Sequence, residues 1–165
     1  MTRKLGYWET IKTLMHDLFA GNDITVIALH FKGMIQSGLC KRALQLSFER
    51  HPLLRATIHQ DNTDGYQFQL NVDFAAIPFT IIQQTYPEQS ISLIEAEMKS
   101  LFPKEKYLWR VTLLENTPKQ ECYLLLTFHH AISDATAIFY FIHETLTAYS
   151  ALEKQGTQFN SSPDC

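Results

Sequence analysis

The order of apolar and polar residues along the chain predicts six β-strands. Residues 24–33 carry β-branched and aromatic side chains on both faces, which is typical of a strand inside a sheet. Residues 66–72 alternate apolar and polar side chains, as a half-buried strand does, and the turn-forming segment 61–65 before them predicts a hairpin. In chain order the predicted strands are Ile24–Gly33, Leu53–Gln60, Tyr66–Val72, Phe79–Thr85, Leu108–Glu115 and Cys122–His130.

Three further segments have apolar residues at helical spacing and therefore predict helices. Pro52 and Pro103 stand where the first two helices must end, and Ser133 or Asp134 can cap the start of the third. These elements predict an α+β fold, a two-layer α/β sandwich with helices on one face of a mostly antiparallel sheet. The predicted helices are Ser37–His51, Ser90–Phe102 and Ala135–Glu153.

Length and composition fit one globular domain. Of the 165 residues, 45% are hydrophobic and 19% charged, and the net charge of -3 gives no basic surface for nucleic acid. The apolar runs are shorter than the ~20 residues that span a bilayer, and the N-terminus lacks a signal-peptide core, so we expect a cytoplasmic protein without a membrane span. Cys40, Cys122 and Cys165 are widely scattered, which argues against a zinc site or a disulfide framework.

The segment TFHHAISDA, residues 127–135, carries the candidate chemistry. A metal site of His129, His130 and Asp134 conflicts with strand geometry, because successive side chains point to opposite faces. A triad of Ser133, His130 and Asp134 would require residues of a single turn to converge, which a nucleophile, its base and its orienting acid rarely do. The plainest interpretation of the residues alone is a hydrogen-bonded histidine pair at a strand end, with Asp134 as a helix cap.

Two segments resemble the signature motifs of one enzyme superfamily. HHAISDA, residues 129–135, is similar to HHxxxDG, and ERHPLLRATI, residues 49–58, is similar to an RHxxLR segment; YWETI near the start also fits at low density. These motifs are typical of the coenzyme A-dependent acyltransferases. That superfamily includes peptide-synthetase condensation domains, alcohol O-acetyltransferases and chloramphenicol acetyltransferase. The resemblance implies a chloramphenicol-acetyltransferase-like lobe.

The resemblance also implies a role for each matching residue. His130, the second histidine, would be the general base, since a neutral imidazole can accept a proton from a hydroxyl or amine acceptor near neutral pH. His129 would support the site while facing away from it, and Asp134 would pair with Arg55 to hold the turn. The donor would be acyl-CoA or a phosphopantetheinyl carrier protein, with no permanently bound cofactor.

The chain departs from the family pattern at two points. Ala135 replaces the final glycine of the signature, which fits only if the position needs no positive φ. The family's enzymes have two lobes with the active site at their junction. Residues 1–155 are expected to form the N-terminal lobe alone, and residues 156–165 a polar tail or the start of an inter-lobe linker.

A missing C-terminal lobe has consequences for function. The leading expectation is an acyltransferase lobe that is inactive in isolation and that pairs with a second copy through its uncovered apolar surface. The alternative is a noncatalytic half-domain that acts as a binding or assembly module.

Overall fold

In the computed structural model, residues 2–19, 23–61, 65–132 and 134–160 are described, with side chains as far as residue 155. The predicted turn at 62–64, the Ser133 cap and Cys165 lie outside these residues. The described chain forms four helices, α1 (Tyr7–Leu18), α2 (Ser37–Arg50), α3 (Gln89–Lys99) and α4 (Ala135–Asn160). Its seven strands are β1 (Thr2–Lys4), β2 (Ile24–Phe31), β3 (Ala56–Asp61), β4 (Gly65–Leu70), β5 (Phe79–Gln83), β6 (Trp109–Asn116) and β7 (Glu121–His129).

The strands form two sheets. The smaller sheet has the order β1-β4-β3 and contains the predicted β3–β4 hairpin. The larger sheet has the order β2-β7-β6-β5, with β6 and β7 antiparallel as predicted and β5 parallel to β6. The expected class, a mixed α/β fold with mostly antiparallel strands, is confirmed.

Strand β2 lies at an edge of the larger sheet, so its predicted internal position is wrong. Among the described residues it pairs with β7 alone. Its apolar character on both faces has another cause. Ile27 and Leu29 pack against the main core, while α3 lies close to the strand as well. One face of β2 packs on the core and the other is only partly covered, since Ala28 and His30 are exposed, so the apolar pattern does not require strands on both sides.

The helices are divided between the two faces of the larger sheet. Helices α2 and α4 pack against each other and contribute Leu44, Phe48 and Phe141 to the main core. Helix α3 covers the opposite face, which gives a layer that the predicted sandwich with helices on one face did not include. The strand residues that face the main core are Trp109, Val111 and Leu113 of β6 and Cys122, Leu124, Leu126 and Phe128 of β7.

A buried ion pair attaches α3 to the sheet. Arg110 Nε donates to Glu97 Oε2 at 2.6 Å, and its Nη2 donates to the carbonyl oxygens of Glu97 and Ser100. The hydroxyls of Thr112 and Thr127 donate to the same carboxylate at 3.1 Å. Both charged side chains are 11% exposed, and these hydrogen bonds satisfy the pair and fix the end of α3 on the sheet.

Several element bounds differ from the prediction, among them the start of β3 and the end of α4. Pro52–Arg55 form a 3₁₀ turn, so that β3 begins at Ala56 instead of Leu53. Helix α4 continues to Asn160, beyond the predicted end at Glu153.

Candidate functional site

The histidine pair lies where β7 ends at the edge strand β2. His129 is the last residue of β7, and register pairs it with Ile24. His130 follows the strand, and its backbone N–H donates to the carbonyl oxygen of Asp23 at 3.1 Å. Because side chains alternate along a strand and the chain then turns, the two rings occupy different environments.

His129 is fully buried on the α3 side of the sheet. Its Nδ1 accepts a hydrogen bond from the backbone N–H of Ala131 at 3.1 Å, which requires an unprotonated Nδ1. Its Nε2 is buried without a hydrogen-bond partner among the described residues. Burial disfavours the charged ring and, together with nearby His16 and Lys104, lowers the pKa of His129 to about 3. His129 is therefore neutral at physiological pH.

His130 is half-buried and lines a pocket of about 330 Å³. Helix α1 lines this pocket with Trp8, Glu9 and Lys12, and Leu53 of the 3₁₀ turn lines it as well. The start of α4 completes the lining. The structure thus gives the second histidine, and not the first, access to a space that a small molecule could enter.

Asp134 also lines the His130 pocket, where it caps α4. Its Oδ1 accepts a hydrogen bond from the backbone N–H of Ala137 at 2.8 Å, as an N-cap carboxylate does. Ala135 is the first residue of α4, and Gln120 is the only non-glycine residue with positive φ in the described chain. Alanine therefore replaces the signature glycine without backbone strain.

The predicted pair between Arg55 and Asp134 is not formed in this structure. No ion pair joins the two side chains in the described part of the molecule. Arg55 ends the 3₁₀ turn, where its carbonyl oxygen accepts from the backbone N–H groups of Asn71 and Val72. Its exposed side chain lines a separate pocket of about 790 Å³, whereas Asp134 is held at the start of α4. The turn that replaced the predicted strand start explains the difference.

Helix α1 supplies site residues that the pattern analysis did not find. Lys12 Nζ lies 2.9 Å from Asp23 Oδ1, and the carbonyl of Asp23 holds the backbone of His130. The second carboxylate oxygen of Asp23 is buried with no partner in the described ranges. The sequence does carry a signal for this helix, in the segment YWETI that resembles the family and in the apolar residues at helical spacing from Trp8 to Leu18.

The described residues carry few candidates for other kinds of site. No group of three His, Cys, Asp or Glu side chains there is placed to hold a metal ion. None of the described helices has the length and apolar character that a membrane crossing needs. Cys40 and Cys122 are buried free thiols, and burial raises the pKa of Cys40 to about 12.

Comparison with known proteins identifies relatives of the chain. The condensation-domain family model matches residues 24–164. The nonribosomal peptide synthetase ungA of Aspergillus violaceofuscus is 33% identical over 101 residues, which cover 60% of this chain and 1% of that protein. The hybrid PKS-NRPS synthetase pyvA of the same fungus is 25% identical over 142 residues, 83% of this chain and 4% of that protein.

Solved structures of condensation domains share the fold. The starter condensation domain of rhizomide synthetase RzmA superposes with a TM-score of 0.82 at 17% identity, covering 99% of this chain and 41% of that chain. A variant of that domain was solved in complex with C8-CoA and has a TM-score of 0.81 at 17% identity, covering 92% of this chain and 36% of that chain. The first condensation domain of the calcium-dependent antibiotic synthetase, in complex with a substrate analogue, has a TM-score of 0.81 at 14% identity, covering 94% and 40%.

The matches cover most of this chain but only a minor part of each relative. The chain spans 1–4% of the length of these synthetases and about 40% of the solved condensation-domain chains. The family match nevertheless extends over most of the chain and includes both histidines. This protein chain belongs to the condensation-domain family.

Proposed function

We propose that the chain is the N-terminal lobe of a condensation domain that moves an acyl group from a phosphopantetheine thioester to an amine or hydroxyl, with His130 as the general base. The division of the histidine pair is the observation that carries this proposal. His129 is 0% exposed and accepts the Ala131 amide, so its Nδ1 lone pair is used inside the protein. His130 is half-buried and lines the pocket.

The proposed reaction uses a neutral His130 ring. An unprotonated ring nitrogen takes the proton of the acceptor N–H or O–H while the acceptor attacks the thioester carbonyl. The new C–N or C–O bond forms, the C–S bond breaks, and the imidazolium returns its proton to the departing thiolate. The backbone hydrogen bond from His130 to Asp23 fixes the base at the edge of the sheet.

The donor is proposed from the family and the neighbours. A variant of the rhizomide domain was solved with C8-CoA, so an acyl-CoA or a phosphopantetheinyl carrier protein is the proposed donor class here. No permanently bound cofactor takes part in the proposed reaction.

The uncovered aromatic side chains support the proposal that a second lobe completes the site. Tyr7 and Trp8 of α1 are 75% and 70% exposed, and Phe139 and Tyr140 of α4 are 65% and 66% exposed. We refer to these four residues, one pair on each helix, as the aromatic patch. Trp8 also lines the His130 pocket, so the α1 pair reaches the space beside the proposed base. Large exposed apolar surface of this kind is typical of an interface.

A noncatalytic role in binding or assembly remains the second candidate. The observation that favours it is the open form of the His130 pocket, whose described walls come from α1, the 3₁₀ turn and the start of α4. A site with such walls could hold a ligand without turning it over.

Acyl transfer by the complete two-lobed domain separates the two candidates. Octanoyl-CoA serves as the donor probe, with a panel of amino-acid thioesters as acceptors. We expect His130→Ala to lower kcat by about a hundred- to ten-thousand-fold, the usual contribution of a general base. His129→Asn is the matched control, because its Oδ1 can still accept the Ala131 amide, and it should retain turnover within about tenfold.

Two results would count against the proposal. If a folded His130→Ala variant still turned over the substrates, His130 would not be the general base. An intact two-lobed domain that binds the donor probe but transfers no acyl group to any acceptor would favour the binding module.

A further inference from the structure

His16 of α1 is buried and has a defined hydrogen-bonding state. The backbone N–H of Phe102 donates to His16 Nε2 at 3.1 Å, so Nε2 is unprotonated. The proton is therefore on Nδ1, which donates to Asp17 Oδ1 at 3.1 Å. Lys104 Nζ binds the other oxygen of Asp17. Burial alone would raise the pKa of Asp17, but the hydrogen bonds from Lys104 and His16 hold it below its ordinary value.

The ring of His16 packs directly on the ring of His129. Their centroids are 4.5 Å apart at an interplanar angle of 38°, and Phe102 lies 6.1 Å from His129 on the same side. His16 is 2% exposed and His129 0%. A shift of the His16 ring would therefore open space beside His129, since buried side chains keep their orientation through close packing.

The orientation of His129 in turn determines the turn that carries His130. Nδ1 of His129 receives the amide of Ala131, and its carbonyl oxygen receives the amide of Ile132 at 3.1 Å. His130 is the residue enclosed between these two bonds. Rotation of the His129 ring would leave the buried Ala131 amide without its acceptor, which costs more than an ordinary hydrogen bond contributes.

His16 is also the main buried attachment of α1. The buried residues of this helix are Thr13 and His16, and the hydroxyl of Thr13 bonds within the helix, to the carbonyl of Glu9. The hydrogen bond to Phe102 and the ring contact with His129 therefore connect α1 to the sheet. The same helix places Trp8 and Lys12 in the His130 pocket.

We propose that His16 is a positioning residue for the general base: its packing holds the His129 ring as acceptor of the Ala131 amide and so fixes the turn that contains His130. The proposal rests on the proposed role of His130 but concerns the geometry of the turn. It assigns a functional residue to α1, which lies outside the segment 24–164 matched by the family model. His16 itself does not contact the reacting atoms.

Nuclear magnetic resonance on the 165-residue chain tests the proposal without an activity measurement. Long-range ¹⁵N–¹H spectra of the histidine rings report which nitrogen carries the proton. We expect the Nε2–H form for His129 and the Nδ1–H form for His16. A wild-type spectrum that shows Nδ1–H on His129 would overturn the proposal.

Amide hydrogen exchange in three variants measures the positioning effect. His16→Ala removes the ring, and we expect the Ala131 amide to exchange about tenfold faster, as loss of one hydrogen bond implies. His16→Gln keeps an oxygen that can accept the Phe102 amide but lacks the ring that packs on His129, so Ala131 should still exchange about threefold or more faster than in the wild type while β7 stays protected. His143→Ala, at an exposed position of α4, is the control and should change nothing.

The outcomes are separable from the proposed activity. Unchanged Ala131 exchange in both His16 variants would refute the positioning role. If His16→Ala loses β7 protection as a whole, His16→Gln decides: faster Ala131 exchange beside an intact β7 supports the positioning role, and wild-type exchange of Ala131 refutes it. In the complete domain, His16→Ala should lower kcat more than it raises KM. If the His16 variants alter the turn but the complete domain shows no acyl transfer, the positioning role of His16 stands and the role of His130 as general base is refuted.

Discussion

Acid should weaken the fold through His129, and the geometry allows the size of the effect to be worked out. The ring is 0% exposed, its Nδ1 accepts the Ala131 amide, and its pKa is lowered from 6.5 to about 3, mainly because burial disfavours the charged form. In the unfolded chain the same ring titrates near its ordinary value. Between these two pKa values the unfolded chain binds a proton that the folded chain does not.

The sign and magnitude follow from proton linkage. Lowering the pH in this window favours the unfolded chain, so the contribution of His129 is fully present above about pH 6.5 and is lost as the pH falls toward 3. With these two pKa values, the loss between about pH 7 and pH 5 is about 2 kcal/mol in the free energy of unfolding. A loss of about 2 kcal/mol is a sizeable fraction of the free energy of unfolding of an ordinary domain, which is roughly 5–15 kcal/mol.

Urea unfolding at a series of pH values checks this expectation. Trp109 is fully buried and its fluorescence reports on the core. His129→Asn can still accept the Ala131 amide but does not titrate, so its stability should fall less than that of the wild type by about 2 kcal/mol over the same pH interval. His143→Ala, at an exposed position, should follow the wild type. Parallel pH profiles for the wild type and His129→Asn would refute the reasoning.

Three further predictions follow from the fold. Glu97→Ala should cost about 3–5 kcal/mol in urea unfolding because Arg110 is left buried without its counter-charge, whereas Glu95→Ala on the exposed side of the same helix should cost under about 0.5 kcal/mol; equal losses would contradict the role of the pair. Asp134→Ala should lower the free energy of unfolding by only about 1 kcal/mol, the value of a helix cap, and Arg55→Ala should lower it by less. A loss of 3 kcal/mol or more, roughly that of a broken buried pair, would instead indicate that Arg55 and Asp134 do form an ion pair. The 165-residue chain should self-associate through the aromatic patch as a two-fold dimer and should not turn over octanoyl-CoA; a strictly monomeric species by light scattering over a dilution series, or turnover by the isolated chain, would contradict this.

Elements with a strong apolar period were predictable because burial and secondary structure act on the same residues. The β6–β7 hairpin and helix α2 lie close to their predicted positions. Helix α1 also has apolar residues at helical spacing, from Trp8 to Leu18, but this face is largely exposed. Its exposed side includes Trp8 and Leu18, while the residues it buries, Thr13 and His16, are polar. The apolar period of α1 therefore indicates a helix but marks the wrong face, and it gives no sign that a histidine attaches the helix to the core.

The buried charges could not be located from the pattern either, although a partial signal existed. Arg110 and Thr112 interrupt the apolar strand β6 at alternate positions, and Thr127 does so in β7. Polar residues that share one face of two paired strands indicate that this face meets a polar partner. Glu97 is that partner, and only the tertiary structure shows it because it lies on a different element.

The motif predicted the positions of its residues in the fold better than their contacts. Both histidines and Asp134 are where the resemblance implied, at a strand end and at the start of the next helix. The Arg55–Asp134 pair failed because a contact depends on the backbone between two motifs, and the 3₁₀ turn at Pro52–Arg55 carries the arginine to a separate pocket.

The extent of the family match bears on how the site should be tested. The match begins at residue 24, but the wall of the His130 pocket contains Trp8 and Lys12, and the ring packed on His129 is His16. A chain trimmed to the matched segment would retain the histidine pair while exposing His129 on the side that α1 now covers. Exposure removes the burial that depresses the pKa of His129, so its ring would gain a proton nearer neutral pH and could no longer accept the Ala131 amide. Loss of activity in such a trimmed protein would therefore reflect a released turn, and it would not count against His130 as the base.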